Sequence, residues 1–197
     1  VILLNKGILL GEGNPKEMID TYKQVLVGQY VDGNEEEEEA KEERKSPGIN
    51  DKALEYGTKS GEIIEFYLAD KNETKTNAII KGEEFSLFMK VKFHKAIQAP
   101  IFAFTIKDKQ GTEITGTNTM VEKAFLSSVQ EGEVKEIVFS QKADLQGGEY
   151  LISLGVTGYE EDQFQVYHRL YDVLNLTVVS EKNTVGYYDC NSKIKIK

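Results

Sequence analysis

The 197-residue chain has no tryptophan and one cysteine, Cys190. A single thiol excludes an intramolecular disulfide, so burial of apolar surface must hold the fold, and it favours a reducing, cytoplasmic compartment. Long apolar runs are also missing. None approaches the roughly 18–20 residues of a membrane-spanning helix, and the first residues lack the basic-then-apolar order of a signal peptide, so the chain reads as soluble. Basic patches are absent too. The formal charge of −9 divides into 0 over residues 1–29, −5 over 30–52 and −4 over 53–197. A chain of that sign with scattered lysines offers no stripe to neutralise phosphates, which argues against nucleic acid as a partner.

Motifs for chemistry are equally scarce. The two histidines, His94 and His168, stand 74 positions apart. No Cys pair or His-x-x-x-His accompanies them as a zinc site would require. There is no G-x-S-x-G elbow, and Cys190 lies in a polar turn without a partner histidine nearby in sequence. "GILLGEGNPK" has glycines but not the Lys-Ser/Thr pair of a P-loop, so this stretch of polypeptide is not expected to hydrolyse ATP. Glu160, Glu161 and Asp162 form an acidic run that reads first as a solvated turn. A calcium site or a glycosidase carboxylate pair is the sharper alternative. The expectation is a protein that is not an enzyme and carries no metal or cofactor of its own.

What is present falls into three segments. "VILLNKGILLGEG" has two short apolar runs around Asn5-Lys6-Gly7, where Asn and Gly tolerate positive φ, and predicts a β-hairpin. "NPKEMIDTYKQVL" predicts a helix, with Asn14 at the N-cap, Pro15 in the first turn and Met18, Tyr22 and Val25 or Leu26 on one face. A hairpin and one helix bury too little to stand alone, so residues 1–29 read as the end of a larger domain. Residues 30–54, "DGNEEEEEAKEERKSPGINDK" within them, hold almost nothing to bury and read as an acidic linker.

From residue 55 to 197 the pattern is β. In "FSLFMKVKF", Phe85, Leu87, Met89, Val91 and Phe93 point one way, while Ser86, Phe88, Lys90 and Lys92 point the other. Similar runs are "EIIEFYLA", "PIFAFTIKD", "TEITGTNT", "EVKEIVFSQ", "GEYLISLGV", "FQVYHRLYDVLNLTVVS" and a last "SKIKIK". About seven to nine short strands separated by turn-rich segments predict a mainly β, antiparallel, immunoglobulin-like sandwich. "MVEKAFLSSVQEG" reads as a short helical turn or an irregular crossing. Tyr150 shares a face with Ile152, Leu154 and Val156 and is placed in the core.

With catalysis disfavoured, the outward polar and aromatic side chains remain. Aromatic faces pack on the C–H surfaces of sugars, while amides, carboxylates and Arg satisfy hydroxyls. "GYEEDQFQVYHRLYD" is densest in such groups, and Tyr159, Asp162, Gln163, Tyr167, His168, Arg169 and Tyr171 are the candidate carbohydrate-binding residues. Arg169 either pairs with Asp172 or contacts ligand.

Two stretches resemble one known architecture. "VILLNKGILLGEGNPKEMIDTYKQVL" is similar to the last strands and helix of an ABC-transporter ATPase domain. "PIFAFTIKDKQGTEITGTNT", followed by "LQGGEYLISLGV", resembles the C-terminal domain of the Wzt type, the ATP-binding subunit of exporters of O-antigen and related polysaccharides. Gly111, Gly116, Asn118 and Thr119 match the family's strand-turn-strand motif and read as structural. The resemblance implies a piece of a longer cytoplasmic protein that works at the inner face of the cell membrane. ATP and Mg would bind in the missing nucleotide-binding domain. The sandwich would recognise a cell-surface polysaccharide or undecaprenyl-linked glycan and couple it to a transmembrane permease subunit. It further implies a homodimer, with "SKIKIK" a strand able to complete a partner's sheet edge. A dimerisation and docking scaffold, or an extracellular adhesin-like sandwich, are the competing readings.

Overall fold

A computed structural model describes residues 1–26, 48–50 and 53–196. Most of the acidic linker expected over 30–54 lies outside the described residues. The opening hairpin pairs β1 (Ile2–Asn5) with β2 (Ile8–Glu12) as a separate two-stranded sheet. Its two-residue turn has Lys6 at φ 48° and Gly7 at φ 84°. The left-handed positions are therefore Lys6 and Gly7, while Asn5 stays in β1, as a primed turn between twisted strands requires. Helix α1 (Pro15–Leu26) follows, its first turn closed by Met18 N–H donating to Asn14 O at 3.2 Å. Met18 lies over Gly11, its sulfur 3.6 Å from where a β-carbon would stand.

The remaining strands are β3 (Leu54–Tyr56), β4 (Gly61–Asp70), β5 (Ala78–Ile80), β6 (Glu84–Phe93), β7 (Ile97–Gln98), β8 (Ile101–Asp108), β9 (Glu113–Asn118), β10 (Ser128–Val129), β11 (Val134–Lys142), β12 (Gly148–Glu160) and β13 (Gln163–Val179). The smaller sheet runs β11-β6-β4. The larger runs β3-β13-β12-β8-β9, with β5 added to β13 as a parallel neighbour. All other pairings in the two sheets are antiparallel. Strands β7 and β10 make a small bridge at one end. "MVEKAFLSSVQEG" contributes irregular turns, with Glu122 N–H bonded to Asn118 O, before β10.

The two sheets face each other because each strand presents an apolar side every second residue. On β6, Phe85, Leu87, Met89, Val91 and Phe93 are all buried. Opposite them stand Phe102, Phe104 and Ile106 of β8 and Tyr150, Ile152, Leu154 and Val156 of β12. Each such side chain contributes roughly 1.5–3 kcal/mol relative to exposure. Tyr150 sits in the core as expected, its hydroxyl donating to Gln146 O at 2.8 Å.

The sandwich begins ahead of residue 55. Asn50 N–H donates to Val173 O at 3.0 Å and Asn175 N–H to Gly48 O at 2.7 Å, so residues 48–50 already lie along β13. At the other end, the expected "SKIKIK" strand is not formed. Residues 192–196 have no strand pairing, and Ile194 and Ile196 are 84% and 96% exposed. Alternating Ile and Lys favour an extended strand only where an edge receives it. The segment just before them is anchored: Asp189 N–H donates to Asp144 O at 3.2 Å, and Lys81 Nζ meets the Asp189 carboxylate at 3.0 Å.

Candidate functional site

The register of the larger sheet places one residue from each of five of its six strands in a row across the outer face. Tyr56 pairs with Arg169, Arg169 with Gly155, Gly155 with Ala103 and Ala103 with Asn118. Beside it, Ser153 of β12 pairs with Thr105 of β8, which pairs with Gly116 of β9. Small residues at the centre leave room above the sheet. Arg169 occupies part of it: a β-carbon on Gly155 would stand 2.6 Å from its Nη1. The rest is a shallow groove of about 450 Å³, lined by Ala103, Thr105, Gly116, Asn118, Val121 and Arg169 among others. Hydroxyls, an amide and a guanidinium thus surround a floor with little side-chain bulk.

The family-type motif supports this groove structurally. Gly111, at φ 89°, closes the β8–β9 turn, where its N–H donates to Asp108 O at 3.1 Å. Gly116 is required by close approach: a β-carbon there would lie 2.6 Å from Phe104 O. Asn118 Oδ1 accepts from Val121 N–H at 2.8 Å, and Thr119 Oγ1 from Phe102 N–H at 3.1 Å. These bonds fix the loop that rims the groove.

Behind Arg169 lies a buried polar layer. The Tyr171 ring stacks on Tyr56 with centroids 5.7 Å apart and is flanked by Lys107 Nζ at 4.7 Å and the Arg169 guanidinium at 5.2 Å. Lys107, only 2% exposed, lies 3.5 Å from the Asp172 carboxylate. Asp172 N–H donates to Ser153 Oγ at 2.9 Å. The sequence left Arg169 a choice between Asp172 and ligand; Asp172 is joined to Lys107 instead. The cause is a bulge, since Leu154 pairs with Leu170 and Ile152 with Leu174, leaving three residues of β13 opposite Ser153. Asp172 takes φ 52° there and turns its carboxylate toward Ser153 and Lys107.

The seven residues singled out from sequence do not form one site. Tyr159 and Gln163 flank the β12–β13 turn, in which Glu161 and Asp162 both adopt positive φ. Tyr159 stacks edge-on against Phe164 there, at 5.7 Å. Tyr167 and His168 are buried on the core side, which removes them from any ligand on the outer face. Burial, aided by the nearby Glu160 carboxylate, pushes the Tyr167 phenol up to about 12. His168 is 0% exposed and joins the two sheets. Its Nδ1 accepts from Ile63 N–H of β4 at 2.8 Å, so Nε2 carries the proton toward Glu55 at 2.7 Å. That hydrogen bond holds the Glu55 carboxyl down at about 2, against the opposing effect of its burial. Arg169 lines the groove, and Tyr171 supports it from beneath. Tyr56, Thr105 and Gly155 were missed, and Gly116 and Asn118 were read as structural only. The signal for Thr105 and Gly155 was the small outward residue at alternate positions of "IFAFTIKD" and "GEYLISLGV".

A family model described as the Wzt C-terminal domain matches residues 52–190. The chain belongs to the Wzt C-terminal domain family. That match takes in the strands from β3 to β13 and the anchored segment ending at Cys190. The crystal structure of the C-terminal domain of wzt is similar to this member of the Wzt C-terminal domain family, with a TM-score of 0.70 and 24% identity. The likeness covers 77% of this chain and 92% of that one, and it shows a shared fold. A Niemann-Pick type C2 protein from Japanese carpenter ant is more distant: TM-score 0.45, 8% identity, 64% of this chain and 98% of that one. The CARDB domain of the PF1109 protein from Pyrococcus furiosus gives 0.35 and 16%, over 60% and 90%. No curated protein matches the chain by sequence.

Proposed function

We propose that this domain is the non-catalytic carbohydrate-binding part of a polysaccharide ABC exporter subunit, holding the glycan in the cytoplasm and coupling it to transport. Membership of the Wzt C-terminal domain family supports the exporter role. The observation that carries the binding role is the row Tyr56–Arg169–Gly155–Ala103–Asn118 beside its groove. A floor without side-chain bulk admits a pyranose ring, and the hydroxyl, amide and guanidinium groups match its hydroxyls. Tyr56 supplies the apolar face, and Tyr159 at the hairpin tip provides a second contact for a longer chain. Asp162 and Gln163 belong to that second contact. The partners are a cell-surface or undecaprenyl-linked glycan, a second copy of the chain, and the membrane permease through the ATPase domain that binds ATP and Mg. Calorimetric titration with the export polysaccharide of the host tests the reading. Binding that weakens on Asn118→Ala or Tyr56→Ala supports it, and a glycan that gives no heat and shifts no amide in the groove overturns it.

A scaffold role is the second reading, favoured by the exposed Ile194 and Ile196. Paired with a sheet edge of a second copy, residues 192–197 would make the domain a dimer clamp for the ATPase halves.

A further inference from the structure

Arg169 is the only arginine among the described residues. Its one described side-chain partner is the ring of Tyr171, at 5.2 Å. Other charges around the groove are accounted for. Lys107 faces Asp172 at 3.5 Å, Glu113 has its own partner, and Glu122 accepts from Thr117 Oγ1 at 2.6 Å. The guanidinium lies over the sheet, in the space that the missing side chain of Gly155 leaves, with the Tyr171 ring on one side. It is therefore a half-buried cation without a carboxylate among the described residues, lying over a floor of Gly155 and Ala103 that leads to Asn118.

Such an arrangement favours an anionic ligand over a neutral one. A planar guanidinium donates two parallel N–H bonds to a carboxylate or phosphate, pairing opposite charges in a bidentate geometry that a single sugar hydroxyl does not offer. The domain around it is acidic, with a net charge of −4 over residues 53–197, so an acidic glycan meets overall repulsion. A local cation without a carboxylate partner among the described residues offsets that repulsion at one point. The hydroxyl and amide groups of Thr105 and Asn118 then receive the ring.

We infer that Arg169 makes this groove selective for a glycan bearing an anionic substituent, a ring carboxylate or a phosphate ester, seated against Gly155 and Asn118. The inference rests on the carbohydrate-binding reading and deepens it.

The test uses the full chain and four small probes: methyl α-galactopyranoside, the matching methyl α-galacturonide, galactose 6-phosphate and inorganic phosphate. Amide and arginine side-chain chemical shifts are followed over the titration. The expected result is that the galacturonide or the sugar phosphate binds about ten- to a hundredfold more tightly than the neutral galactoside. The preferred probe identifies the anion as carboxylate or phosphate. Arg169→Gln erases the preference, Arg169→Lys keeps part of it, and 0.5 M salt reduces it in the unaltered chain.

Equal binding of the galactoside and both charged sugars, unchanged in Arg169→Gln, overturns the inference and leaves the carbohydrate reading standing. Inorganic phosphate binding as tightly as the sugar phosphate overturns it as well, since the site then reads charge without sugar. No response to any of the three sugars removes the carbohydrate reading and the inference together. The comparison of probes on the unaltered chain decides the matter even where a variant fails to fold.

Discussion

The Nζ of Lys107 lies 3.5 Å from the carboxylate of Asp172, and both side chains are almost sealed from water, at 2% and 6% exposure. Removing one member of such a pair leaves the other charge buried with less to balance it. Lys107→Met and Asp172→Asn each lower the unfolding free energy by roughly 3–5 kcal/mol, read from urea denaturation midpoints. The double variant loses less than the two singles added, because neither charge is then stranded. Strictly additive losses would show that the two groups do not interact.

Acid should loosen the link between the sheets. The Glu55 carboxyl is held at about 2 by the hydrogen bond from His168, against an ordinary value of 4.5. A depressed carboxyl contributes stability that is complete above pH 4.5 and is lost as pH falls toward 2. Glu55 is part-exposed, so solvent screening limits the effect to about 1–2 kcal/mol. Melting temperatures at pH 6 and pH 3 should therefore differ less for Glu55→Gln than for the parent chain. An identical acid slope in both would remove Glu55 from the account.

Gly155→Ala tests the groove without replacing any of its polar groups. The new β-carbon would stand 2.6 Å from Arg169 Nη1, the far end of a flexible side chain. The fold should lose less than about 1 kcal/mol, since the guanidinium can swing away. The arginine side-chain resonance should move and glycan affinity should drop severalfold. Unchanged affinity would mean that the position of Arg169 is unimportant.

At Gly57 the outcome is opposite. Its φ is 131°, and a β-carbon would lie 2.5 Å from Tyr167 O, a backbone atom that cannot step aside. Gly57→Ala should cost on the order of 2–4 kcal/mol and shift the denaturation midpoint accordingly, far more than Gly155→Ala.

Removal of residues 192–197 addresses the second copy. The exposed Ile194 and Ile196 make no strand in the isolated chain, so their loss should leave its melting temperature nearly unchanged. Light scattering should change from dimer to monomer where the segment is exchanged. A dimer that survives the truncation would sink strand exchange.

The sandwich was legible because period-two burial is written directly into strands such as β6, where five alternate residues face the core. The helix after Asn14 was equally clear from its cap, proline and apolar spacing. The candidate site was not. "VYHRLYD" looks like one polar surface, yet bulges in β13 send His168 inward, keep Arg169 outward and rotate Asp172 to Lys107, a residue 65 positions earlier. A bulge changes which face a side chain occupies, and nothing in the order of residue types announced it.

Alternation, turn chemistry and charge thus determined by themselves an antiparallel sandwich of this size and its apolar set, because those properties are local. Only tertiary structure decided that Tyr56, Arg169, Gly155, Ala103 and Asn118 stand in one row, since strand register joins residues distant in sequence. It also decided that a lysine in "FTIKD" would be buried against an aspartate of β13. Register depends on the summed packing of whole strands, and that sum has no value until both sheets have closed on the core.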